Sequence, residues 1–68
     1  MSERPAYRQR VIEEKEALDE KLAALERFFE TPGYDALPLA DRHLLREQAT
    51  HMFRYSAVLG ARIARFDQ

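Results

Sequence analysis

Residues 13–29 read EEKEALDEKLAALERFF, and the fold depends on how this stretch is sorted into rows. Its charged and alanine-rich filling has high helix propensity. Val11, Leu18, Leu22, Leu25 and Phe29 recur at the three-to-four spacing of one apolar helical face. Val11, Leu18 and Leu25 stand seven apart and make one row of a packing seam. Tyr7, Glu14, Lys21 and Phe28 also stand seven apart and are taken as the companion row. That choice puts a carboxylate and an ammonium in the seam. Both then need polar partners, because burying an unpaired charge is costly.

Working outward, the spacing predicts a first helix over about residues 6–30. Ser2 is a candidate cap for its start, with Pro5 inside the first turn. TPGYDALP, residues 31–38, ends it. Pro32 lacks an amide hydrogen and Gly33 tolerates a positive φ. Tyr34, Ala36 and Leu37 are expected in a short turn over this end, and Pro38 at the start of the next helix. That helix should run over about residues 39–66. Leu45, Met52, Leu59 and Phe66 form its first row, with Gln48, Tyr55 and Arg62 as the polar companion row. Leu44, Val58 and Ile63 widen the apolar arc. A further strip of mostly small residues holds Ala49, Phe53, Ser56, Ala57, Gly60 and Ala64.

A short connection favours an antiparallel pair. Positions whose numbers sum to about 73 then lie at similar heights. Glu14 reaches Arg62, and Lys21 reaches Gln48 or Tyr55. The expected network of Glu14, Lys21, Gln48, Tyr55 and Arg62 would fix register more than it adds stability. Each helix carries more apolar surface than one contact line needs, with Tyr7, Ile12, Phe53 and Val58 left over. The fold class is therefore all-α, a long antiparallel helical hairpin. It is expected to assemble as a homodimeric four-helix bundle or a higher oligomer.

The chain has 68 residues, no cysteine and a formal net charge of -1. It makes a single small domain, marginal alone, with no disulfide or thiolate site. The opening MSERPAYRQR has no apolar core of a signal peptide. No stretch approaches the length of a membrane span. A cytoplasmic location, in a host cell, is expected. Residues 1–30 hold eight acids and six bases, whereas no acid lies between Gln48 and Phe66. Arg54, Arg62 and Arg65 there can pair with the acidic first helix or meet a phosphate.

Catalytic chemistry finds no support. Gly33 and Gly60 are isolated, so no phosphate loop exists. His43 and His51 are eight apart, more than two helical turns, and do not share a metal easily. Glu13, Glu16, Asp19 and Glu20 lack a second acidic cluster in the later helix, and Ser56 lacks a histidine–carboxylate partnership. No cofactor or metal is expected. Without a dense basic stripe or a compact recognition unit, nucleic-acid binding is not favoured.

RVIEEKEALDEKLAALERFF together with LLREQATHMFRYSAVLGARI, within residues 10–66, resembles small helical-hairpin proteins of phages and prophages. The matching positions are Arg10, Val11, Glu14, Leu18, Lys21, Leu25 and Phe28, then Leu45, Gln48, Met52, Tyr55, Leu59, Arg62 and Ile63. The resemblance implies a non-enzymatic accessory protein of a group mostly without assigned activity. Two functions follow as expectations. One is binding and modulating a host protein, as in defence evasion, through Tyr34, Leu37, Phe53 and Tyr7. The other is an oligomeric sponge for a cyclic or linear nucleotide messenger. Tyr7, Arg10, Lys21, Tyr55 and Arg62 would supply its aromatic surfaces and cations. The first is preferred on the sequence.

Overall fold

The computed structural model describes residues 6–66. The expected cap at Ser2 and first-turn Pro5 lie outside them. Three helices follow in order: α1 (Ala6–Phe28), α2 (Pro32–Asp35) and α3 (Leu39–Ala64). The two long helices lie antiparallel in a rod of 54 × 16 × 14 Å. Among the described residues, no helix is long and apolar enough to cross a membrane.

The closed end is more ordered than a plain loop. After Phe28 the backbone tightens, with Glu30 N–H donating to Arg27 C=O and Thr31 N–H to Phe28 C=O. The Thr31 hydroxyl donates to Phe28 C=O at 2.7 Å and accepts from Tyr34 N–H at 3.3 Å. This caps α2, and Pro32 takes its first turn, where a missing N–H costs nothing. No described residue has a positive φ, so Gly33 does not serve by left-handed geometry. Instead a Cβ there would sit 3.4 Å from the Phe28 ring. The single turn of α2 carries Tyr34 inward, to 7% exposure. Its ring meets Phe29 and Phe28 edge-on at 5.0 and 6.0 Å.

The seam between α1 and α3 differs from the expected one by a single residue on each helix. On α1 the seam positions, each buried or half-buried, are Arg8, Val11, Lys15, Leu18, Leu22 and Leu25, continued by Phe29 just past its end, while Ile12, Ala23 and Phe28 are half-buried beside them. On α3 the seam positions are Arg42, Leu45, Ala49, Met52, Ser56, Leu59 and Ile63, continued by Phe66 just past its end, with Gly60 half-buried beside them. Both sets run three and four apart, as knobs-into-holes packing requires. The rows beginning at Val11 and Leu45 are as read from the sequence. The companion rows are Arg8, Lys15, Leu22 and Phe29, and Arg42, Ala49, Ser56 and Ile63. Glu14, Lys21, Gln48, Tyr55 and Arg62 are exposed. A step of one residue turns the helix by about 100°, enough to move a row from seam to flank. Leu59 lies at the centre with 0% exposure, and burying such a side chain contributes about 1.5–3 kcal/mol.

Candidate functional site

Turning the seam by one residue leaves the hairpin with two different flanks. The first carries Leu44, Gln48, His51, Tyr55, Val58 and Arg62 from α3, with Tyr7, Arg10, Glu14 and Lys21 from α1; all are exposed. These positions also recur three and four residues apart, so this flank carries a second, unfilled seam pattern. The Tyr55 hydroxyl donates to the Glu14 carboxylate across the two helices. That bond, then burial and the Glu14 charge, push the Tyr55 phenol above its ordinary 10.0, while the Arg62 charge beside it acts in the opposite direction. Glu14 and Tyr55 are thus joined across the helices, with Arg62 on the same exposed flank. Arg10 stands one turn from Glu14 on the same face. Tyr7 lies at the open end, edge-on to Phe66 at 5.9 Å. Lys21 makes none of the side-chain bonds among the described residues, and the Gln48 amide approaches the Met52 sulfur at 3.9 Å.

The second flank carries features that the row analysis passed over. Lys15 Nζ donates to Asp19 Oδ2 at 2.8 Å and to Ser56 Oγ at 2.9 Å, and Ser56 Oγ donates to Asp19 Oδ1 at 2.5 Å. Ser56 is 7% exposed, so its hydroxyl needs partners, and it has two. The Lys15 bond, then the Ser56 bond, hold the Asp19 carboxyl below its ordinary 3.8. The Lys15 stem crosses Gly60, where a Cβ would stand 3.3 Å from its Cε. The sequence signal was size: a serine and a glycine on α3 at the height of a long cation on α1.

Nearer the closed end, the Arg46 guanidinium lies 4.2 Å from the Phe29 ring centroid and 5.3 Å from that of Tyr34. Arg46 Nε donates to the Tyr34 hydroxyl at 3.0 Å, and that hydroxyl donates to Arg42 C=O at 3.4 Å. Tyr34, expected on a partner surface, is therefore a core residue of this end. Its ring is covered by aromatic neighbours and a guanidinium. Leu37 is half-buried and Phe53 is 64% exposed. Beside Arg46 an open groove of about 260 Å³ is lined by Glu26, Phe29, Arg46, Ala49, Thr50 and Phe53.

No three metal-ligating side chains gather among the described residues. Ser56 is bonded to a lysine and an aspartate, with no histidine in the cluster. No curated protein and no solved structure matches the chain. One family model does match: Sequestin, over residues 5–65. The match spans α1, α2 and α3 entire, so the chain belongs to the Sequestin family and is a non-enzymatic binding protein.

Proposed function

We propose that this protein sequesters a nucleotide second messenger, as an accessory protein of a phage or prophage acting inside the infected cell. The observation that carries the reading is the exposed cluster of Tyr55 and Arg62 with Glu14, continued by Arg10, Tyr7 and Lys21. A tyrosine ring offers a face for a base, and guanidinium and ammonium groups match phosphate. The Glu14 carboxylate accepts only, which suits ribose hydroxyls. The family name denotes holding something in sequestration, and that fits capture of a small molecule better than occupation of a host protein. Burial of Tyr34 removes one of the anchors on which host-protein binding depended.

The same flank is the natural meeting place of two copies. Leu44, Val58 and Tyr55 are exposed there at the spacing of a helical seam, and covering them in a homodimeric four-helix bundle would enclose the cationic cluster. Calorimetry against a panel of cyclic and linear nucleotides tests the reading. A saturable heat at micromolar concentration is expected, weakened about tenfold or more by Arg62→Ala or Arg10→Ala with helix content kept. Silence across the panel would overturn it. Light scattering tests the assembly: a clean monomer at micromolar concentration, with or without nucleotide, would rule out the two-copy arrangement.

A further inference from the structure

The proposed messenger site draws a second copy onto the first flank, but it leaves open which face that copy presents. Charge separates the choices. Among the described residues the first flank carries Arg10, Lys21, Arg62 and Arg65 against Glu14 and Asp41. The heptad places Glu16, Asp19, Glu26 and Glu30 on the second flank, against Arg46 and the Lys15 that Asp19 already holds. One side of the rod is therefore basic and the other acidic. Two first flanks set face to face crowd four cations against four, and like charges across an interface oppose association. A first flank set against a second flank brings opposite charges together.

The apolar groups agree with the second choice. Leu44, Tyr55 and Val58 are exposed on the first flank, and Phe53 is exposed on the second. Phe53 there lines an open groove of about 260 Å³ together with Phe29 and Ala49. Both flanks thus carry large side chains that nothing within one chain covers. A rod 54 Å long and 14–16 Å across presents roughly 800 Å² on a flank in projection, close to what one partner buries in a stable pair.

We infer that the second flank is a docking surface for the first flank of another copy of this chain, the copies lying parallel and side by side. Equal residue numbers then lie at equal heights. Tyr55 of one copy stands about 3 Å along the axis from Phe53 of the next, and Lys21 stands at the same remove from Asp19. Leu44 comes level with Phe29, which lines the groove. Because the two faces differ, the contact is heterologous. Each copy keeps a flank open for the next, giving a ring if the rotation closes and a filament if it does not. This docking rests on the messenger reading only for a second copy on the first flank, and it needs no nucleotide.

A charge swap tests it on the full chain without nucleotide, by sedimentation equilibrium in low salt. One variant, Lys21→Glu with Arg62→Glu, makes both flanks acidic. The other, Glu16→Lys with Glu26→Lys, makes both flanks basic. All four side chains are exposed, so the fold is kept, and circular dichroism checks that. The wild type should associate, and less so as salt rises. Each variant alone should associate about tenfold more weakly or worse, and an equal mixture should regain the wild-type strength, because the swapped flanks fit each other. If the Glu16→Lys, Glu26→Lys variant associates like the wild type, the first flank meets itself and the second-flank docking is overturned. A monomeric wild type overturns it too, and leaves the second flank to some other protein. Nucleotide heat from a chain that behaves in either of those ways would keep the messenger reading and sink this one.

Discussion

Glu14 and Lys15 are adjacent on α1, and Tyr55 and Ser56 are adjacent on α3, yet the two cross-helix bonds they form lead different lives. Lys15 meets Ser56 at 2.9 Å beside the buried seam, with Asp19 closing the cluster. Glu14 meets Tyr55 on an exposed flank, with Arg62 near. A rotation of one residue separates a pair that belongs to the architecture from a pair that is available to a ligand or a second copy. The difference teaches that a polar group at seam spacing is not thereby a seam residue. Location relative to Leu59 decides it.

The largest test of that contrast pairs two leucines. Leu59→Ala empties the middle of the seam and should cost about 2–5 kcal/mol, which is severe for so small a chain. Leu44→Ala, on the open flank, should stay within about 0.5 kcal/mol in the monomer. Denaturant titration followed by circular dichroism separates them, and equal losses would show the flank to be filled already. Next in size, Ser56→Ala removes a buried hydroxyl that two side chains use, and should cost about 1 kcal/mol. Tyr55→Phe, which breaks the flank bond, should lower the unfolding midpoint by less than Ser56→Ala does while weakening nucleotide capture.

The smallest effects are in pH. Asp19 is held below its ordinary 3.8 in the folded chain. Its contribution is complete above that value and is lost as pH falls through the folded pKa. Stability should therefore decline below about pH 3.8, less so in Asp19→Asn than in the wild type, as read by thermal melts at acid pH. Tyr55 shifts the other way, above 10.0. Its contribution is complete below pH 10.0 and is lost as pH rises through the folded pKa. Absorbance titration of tyrosinate should show a late component, and Glu14→Gln should reduce it. A titration insensitive to Glu14 would separate the two residues and dissolve the flank cluster.

Much of the fold was legible. Pro32, Gly33 and Pro38 bracket the break between long helices because none continues a helix from its preceding turn easily. The antiparallel register follows from the short connection, and the contacts Tyr7–Phe66, Lys15–Ser56 and Arg46–Phe29 lie within about one turn of it. The companion rows were not legible by hydropathy. Arg8, Lys15, Leu22 and Phe29 contain two cations and two apolar residues. Tyr7, Glu14, Lys21 and Phe28 contain two ions and two aromatics. What separates them is size matching: Ser56 and Gly60 leave room for the Lys15 stem, so that its methylenes can pack and its ammonium can still reach Asp19. The role of Tyr34 was hidden for a similar reason. A single capped turn, which local sequence only weakly specifies, swings its ring from solvent to core.

By itself, the sequence determined two long helices, their break, their antiparallel pairing and an all-α chain without catalytic motifs, because periodicity and breakers act locally along the chain. Only the tertiary structure decided which of two adjacent rows is inside, that Tyr34 closes one end, and that Phe53 overhangs a groove. Rotation of a helix about its own axis changes no local preference. It is set by the volumes of side chains that meet across the hairpin, and those become neighbours only when the two helices pack.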